Sequence, residues 1–196
     1  QPVLAGGETV VGSVGWDEMG EADGALLRKV DAIRLPISAY LGVEGMPGMT
    51  AWYGRNQSRR TKPGAKVVVA AASGAVGSAV GQLAKLHGCR AIGIAGGAEK
   101  CAYVVDELGF DACIDYKAGT LAADLAAAAP EGIDALFENV GGAGFDAALP
   151  LMNPFGRIAL CGLIAGYDGE AMVLNSLRTF LTMRLSMRGF IVSEHP

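Results

Sequence analysis

Between Val67 and Lys85 the chain reads VVVAAASGAVGSAVGQLAK, eighteen residues without a charge before the lysine. An apolar run of about 18 residues reaches the length of a membrane span. Its internal punctuation excludes that reading. Val67, Val68 and Val69 are β-branched and suit a buried strand that runs on through Ala70 to Ala72. Ser73 and Gly74 then mark a turn, after which Val76, Val80, Leu83 and Ala84 return at helical spacing, with Ser78, Gln82 and Lys85 on other faces. The stretch therefore predicts strand, tight glycine turn and helix.

Repeats of that unit follow. Strands are expected at 66–71, 90–95, 113–115, 133–139, 157–161 and 186–192, separated by helices at 76–86, 99–108, 121–128, 144–151 and 176–182. Successive βα units of this length imply a parallel sheet with right-handed crossovers and helices on both faces. Six strands complete a doubly wound Rossmann sheet, so the fold class is α/β. The alanine-rich LAADLAAAAPEG is a surface helix ended by Pro130 and Gly132. Residues 1–35 differ: their short strand-like groups lack enough partners for a sheet and are expected to be a remnant of a neighbouring domain. Residues 36–54 are expected as helical pieces broken at 45–48, leading through the polar loop RNQSRRTKPG into the first strand. The chain opens at Gln1, in mid-pattern and without an initiator methionine, as expected of a piece of a longer polypeptide.

Composition narrows the partners. Apolar residues make up 51% and 29 of 196 residues are glycine, while charged residues are 18% against roughly 25% in typical domains. That suits central strands covered on both faces. The net charge of −4, with Arg55, Arg59, Arg60 and Lys62 as the only basic cluster, argues against a nucleic-acid partner; the cluster is read as a solvated loop. Cys89, Cys101, Cys113 and Cys161 stand 12, 12 and 48 residues apart, with two histidines in the chain. This resembles neither a metal site nor a disulfide framework, and free thiols in a cytoplasmic protein are expected.

The turn Ala72-Ser73-Gly74-Ala75-Val76-Gly77 is a GxGxxG pattern with alanine for its first glycine. Such a turn lets backbone approach a pyrophosphate and aims the free amides of a helix N-terminus at it. Alone the pattern is weak; its place after a strand, at the head of further βα units, is the context that marks a dinucleotide site. NAD sites usually carry an acid near the end of the second strand, whereas here that strand ends GIAGGAEK. Gly96 and Gly97 are expected to turn their amides towards an anion, and Lys100 to add a positive charge, which favours NADP(H). At the end of the fourth strand, Asn139 of FENVGG is expected to face the cofactor, while Glu138 could serve as a structural partner of a backbone amide. Cys161 borders the same crevice, and Tyr167 is placed where a hydroxyl could polarise a carbonyl.

Taken in order, GMPGMTAWYG, AASGAVGSAVGQLAK, AGGAEK, DYK, FENVGG, CGLIAGY and GFIV closely resemble the zinc-independent branch of the medium-chain dehydrogenase/reductase superfamily, in its prostaglandin reductase, alkenal double-bond reductase and curcumin reductase group. The resemblance covers almost the whole chain. It implies a Rossmann domain at 36–196 and, at 1–35, a remnant of an N-terminal GroES-like substrate domain whose remainder is not in this sequence. It further implies NADPH-dependent reduction of the carbon–carbon double bond of small enones and enals, without a metal. The last strand, 186–192, is itself expected to pair with its mate in a second subunit, as edge strands do, making a cytoplasmic homodimer. Lys100 and Tyr116 would bind the 2′-phosphate; Thr50, Ser73, Gly74, Ala75, Val76, Gly77, Gly97, Asn139 and Cys161 would lie along the cofactor; Phe190 and Val192 would reach the carboxamide; and Tyr167 would stand by the nicotinamide and substrate. Alternatives are a quinone reductase of the same superfamily, an NADP-binding module without chemistry and a zinc alcohol dehydrogenase; FENVGG with CGLIAGY speaks against the last.

Overall fold

The structure, a computed structural model, describes residues 4–15, 17–57, 62–169 and 171–195, with the side chain of Gln57 also outside the description. Arg59 and Arg60 of the basic loop lie outside the described residues. Near the amino end, β1 (Val10–Val11) and β2 (Arg28–Lys29) form a two-stranded antiparallel ribbon of their own. Helix α1 (Met46–Gln57) follows a short 3-10 turn at Ile37–Leu41. The expected break at 45–48 is corrected: the helix begins at Met46, with Pro47 in its first turn, where a missing amide costs nothing. Gly48 lies inside the helix and packs against the preceding turn, where a Cβ would sit 1.8 Å from the Val43 carbonyl oxygen.

The rest is one sheet. Strands β3 (Lys66–Ala70), β4 (Arg90–Ala95), β5 (Ala112–Asp115), β6 (Ile133–Glu138), β7 (Met152–Leu160) and β8 (Ser186–Gly189) run in the spatial order β5-β4-β3-β6-β7-β8, every neighbouring pair parallel. Helices α2 (Ala75–Leu86), α3 (Ala98–Asp106), α4 (Leu121–Ala128), α5 (Gly142–Ala148) and α6 (Leu177–Met183) connect them. This is the doubly wound Rossmann order, with its switch point between β3 and β6.

Alternation along the strands builds two cores. Val67 and Val69 of β3, with Ala135 and Phe137 of β6, pack beneath α1, α2 and α3 against Ala51, Val80, Val104 and Phe110. Val68 and Leu136 point the other way, against Leu125, Phe145 and Leu149 from the α4–α5 side. A continuous apolar run is what a strand covered on both faces requires.

Two strand ends depart from expectation. β7 begins five residues early, at Met152, because its NPFG segment looks like a turn yet runs on alongside β6 through a register shift between Ile133 and Ala135. β8 stops at Gly189, and its expected continuation turns into a 3-10 segment at Val192–Glu194 once Phe190 has entered the core.

Candidate functional site

At the carboxyl ends of β3, β4 and β6 lies an open crevice of about 520 Å³, lined by Ala70, Ala71 and Ser73, by Ile94 to Gly96, by Lys100, Tyr116 and Lys117, and by the loops at Val140–Gly144 and Ile164–Ala165. Its floor is the glycine turn. Ala71 adopts a left-handed φ of 51°, Ala72 N–H donates to the Ile94 carbonyl at 3.0 Å, and Gly74 N–H donates to the Ala71 carbonyl at 2.9 Å. Helix α2 then starts at Ala75, its first-turn amides at Ala75, Val76 and Gly77 lying where a helix has no acceptor of its own. Gly77 is buried, and a Cβ on it would meet the Ala71 carbonyl oxygen at 2.3 Å. Strand end and helix thus touch backbone to backbone, which draws the helix start close to the crevice.

The far end of the crevice is basic. Lys100, in the first turn of α3, and Lys117 face it together with Tyr116, whose ring lies 5.9 Å below the Lys117 ammonium. Gly96 makes room for that ring, since a Cβ at 96 would lie 2.8 Å from the nearest ring carbon. The expectation for the Gly97 amide is corrected: it donates to Asp115 Oδ1 at 2.7 Å, and Lys117 N–H donates to the same oxygen at 2.9 Å. These amides, Gly97 first, and the Lys117 charge hold the Asp115 carboxyl below its usual range. Asp115 therefore ties the β4 and β5 loops together. Neither Asp115 nor Lys117 was singled out from the sequence, although the DYK string at a strand end contained both.

On the opposite wall, Glu138 is almost wholly buried at the end of β6, and its Oε1 accepts from Val140 N–H at 2.6 Å and Gly141 N–H at 2.8 Å. It is the backbone partner anticipated from its buried position. Burial pushes its carboxyl up, against the pull of those amides. Asn139 turns its amide to the backbone: its Nδ2 donates to the Ala70 carbonyl at 2.9 Å, a clamp across the switch point between β6 and β3. The turn after β7 is bound to the same loop, with Cys161 N–H donating to the Glu138 carbonyl at 2.8 Å and Ala165 N–H to the Val140 carbonyl at 3.0 Å.

Of the expected residues, Ser73, Lys100 and Tyr116 line the crevice, and Gly74, Ala75, Val76 and Gly77 form the start of helix α2 directly after the lining residue Ser73. Others point elsewhere. Thr50 is buried in α1 and its hydroxyl donates to the Met46 carbonyl at 2.7 Å, because a mid-helix threonine finds its nearest acceptor four residues back. The Phe190 ring packs against Tyr53 and Phe137 in the core, leaving only its backbone near the end of β8. Cys161 is half-buried against the same core, which pushes its thiol up. Val192 is half-buried in the following 3-10 segment. Tyr167 caps the 3-10 turn that carries the lining residues Ile164 and Ala165, and is 72% exposed.

Among the described residues, no group of three or more histidine, cysteine, aspartate or glutamate side chains is placed to hold a metal ion. No helix there is long and apolar enough to cross a membrane.

Comparison with known proteins agrees with this architecture. The family model for zinc-binding dehydrogenases matches residues 75–196. The NADPH-dependent curcumin reductase of Escherichia coli is 43% identical over 98% of this chain and 58% of its own length. The NADP(+)-dependent 2-alkenal reductase of Nicotiana tabacum is 42% identical over 99% of this chain and 57% of its own length. Among solved structures, CurA from Vibrio vulnificus in complex with NADPH superimposes with a TM-score of 0.76 at 45% identity, covering 90% of this chain and 51% of that one. The chain thus spans a little over half the length of the curated relatives it matches. With a six-stranded Rossmann sheet, a glycine turn at its switch point and these similarities, the chain belongs to the zinc-binding dehydrogenase family, within the medium-chain dehydrogenase/reductase group that holds the zinc-independent curcumin, prostaglandin and alkenal reductases.

Proposed function

We propose that this chain is the NADP(H)-binding part of a reductase that acts on the carbon–carbon double bond of α,β-unsaturated aldehydes and ketones. The observation that carries the reading is the basic end of the crevice, where Lys100, Lys117 and Tyr116 surround the position at which an NAD site would carry an acid. The relatives named for NADPH or NADP(+) use support it. The residues fit the cofactor: the Gly77 contact brings the α2 amides to the pyrophosphate position, and two ammonium groups and a phenol suit a ribose phosphate.

When bound, the cofactor supplies a hydride to the β-carbon of the substrate. The chain's own part is to hold and screen. Lys100, Tyr116 and Lys117 bind the phosphate, and the Asp115 clamp keeps their loops in register. Glu138 and Asn139 fix the Val140–Gly141 wall against β3. Tyr167 donates a hydrogen bond to the carbonyl oxygen as negative charge gathers there. Residues 36–196 form the cofactor domain, and 1–35, with their separate ribbon, belong to a GroES-like substrate domain. Cysteines without a disulfide framework suit a reducing, cytoplasmic setting.

Titration calorimetry with NADPH and NADH tests the reading. The phosphorylated cofactor should bind more tightly, and Lys100→Ala should weaken it by about tenfold or more, the worth of one charge-assisted bond, with little effect on NADH. In a turnover assay of the full-length enzyme with an enal and a quinone as acceptors, the enal should be reduced faster, and Tyr167→Phe should slow that reduction without loss of NADPH binding. Equal affinity for the two cofactors would overturn the cofactor reading, and unchanged turnover would remove Tyr167 from the mechanism.

A further inference from the structure

Cys101 and Cys113 stand 12 residues apart in the sequence and fit no cysteine pattern, yet the fold makes them neighbours. Cys101 lies in α3 directly after Lys100, and Cys113 lies in β5, two residues before Asp115. The Cys113 thiol donates to the Cys101 sulfur at 3.0 Å. Room for the pair comes from β4, where Gly93 is the register partner of Cys113: a Cβ at 93 would lie 3.3 Å from the Cys113 sulfur and 3.0 Å from a Val104 methyl. Both cysteines are free and half-buried, so a small oxidant has a path that a bulky one lacks.

We propose that Cys101 and Cys113 form a reversible dithiol–disulfide pair, oxidised by hydroperoxides, that joins α3 to β5 beside the Lys100–Tyr116 end of the crevice. An approach of about 1 Å brings the sulfurs from their present separation to the bonded length of about 2.05 Å. Cys101, the acceptor of the hydrogen bond, is oxidised first. Its thiolate attacks one oxygen of hydrogen peroxide, breaking the O–O bond to give a sulfenic acid and, after proton transfer, one water. The Cys113 sulfur then attacks the Cys101 sulfur and expels hydroxide, which takes the Cys113 proton as a second water. Two thiols and one peroxide become one disulfide and two waters. Burial, with Cys101 beside it, pushes the Cys113 thiol up, so it keeps its proton until that second step. In a reducing compartment such a bond is transient and is reversed by thiols. The expectation of unpaired, uneventful cysteines came from their spacing along the chain, which carries no information about the α3–β5 crossover that closes the gap.

The test is peptide mapping of the purified protein after hydrogen peroxide, with remaining thiols alkylated and no reductant added. The expected result is a linked pair of peptides carrying Cys101 and Cys113, lighter by two hydrogen atoms than the separate thiols and released by dithiothreitol, while Cys89 is still alkylated. In Cys101→Ser the link should vanish and Cys113 should remain a thiol; in Cys113→Ser, Cys101 should progress to the sulfinic acid. The proposal fails if both cysteines of the wild-type protein remain alkylatable at peroxide levels that oxidise a free thiol, or if either is linked to Cys89 or Cys161. The wild-type map decides this even if a serine variant folds poorly.

Discussion

Glu138 shows what a single buried side chain does for the crevice and how far its role could be read. An acid directly after the apolar Ala135-Leu136-Phe137 is marked by that pattern as buried and so as a candidate partner for a backbone amide, while the amides it takes, those of Val140 and Gly141, are set by the fold of the turn and not by the pattern. The opposite held for Asn139, expected by the cofactor from its place at a strand end, and Thr50, expected there from the family resemblance, both of which donate to carbonyls of the chain itself, which no spacing reveals. Because the Glu138 carboxyl is raised above its ordinary 4.5, the folded state holds its proton more tightly than the unfolded state does. Its stabilising effect is complete below about pH 4.5 and is lost as pH rises from there through the raised value. Glu138→Gln keeps an oxygen for the Val140 and Gly141 amides but cannot ionise. The variant should therefore show a smaller fall in melting temperature than the parent as pH rises through that window. Glu138→Ala, which strands both amides, should cost about 1–3 kcal/mol below about pH 4.5 and less above that window, where the parent has lost the contribution of its protonated carboxyl. Parallel thermal melts from pH 4 upwards would check both, and an equal fall for parent and Gln variant would sink the argument.

At the scale of elements, the sheet was legible because buried parallel strands and amphipathic helices differ in period, and β3, β4 and α2 stand where that period placed them. What escaped was set by contacts distant in sequence: the early start of β7 depends on Ile133 across the sheet, and the end of β8 on the pull of Phe190 into the core. Helix α2 offers a sharp test of such contacts. Gly81 lies in its interior, where alanine normally stabilises by about 1 kcal/mol. Here a Cβ would stand 1.8 Å from the Phe110 ring, which is itself buried between α2, α3 and the sheet. Overpacking of that kind costs about 1–3 kcal/mol, so Gly81→Ala should destabilise in spite of its helix propensity. For a chain of this size that is a fall of roughly 2–10 °C in melting temperature. A rise on thermal denaturation followed by circular dichroism would show that the helix can move away from Phe110.

For the whole molecule, the open question is what its two sheet edges do. β5 closes one side and is guarded by charge, with Asp111 before it bound to Lys85 at 2.6 Å, and Asp115 and Lys117 at its far end. Charged groups of that kind keep an edge from pairing with another chain. β8, Ser186–Gly189, closes the other side, and all four of its residues are exposed. Its surroundings are apolar, with Met187 and Ile191 exposed in or beside it and Leu177 and Leu181 exposed on the preceding helix. An edge flanked by apolar side chains, with Arg188 as the charge within it, is a surface on which a second copy would continue the sheet, and a two-fold pairing of β8 with itself would bury that patch once in each subunit. Sedimentation equilibrium at micromolar concentration should therefore give twice the mass of one chain. Met187→Lys, which replaces the exposed apolar side chain of the strand by a second charge beside Arg188, should shift the equilibrium towards the monomer while leaving the far-ultraviolet circular dichroism unchanged. A parent protein that sediments as a monomer up to about 100 μM would rule out β8 as the contact and leave its apolar flank to some other cover.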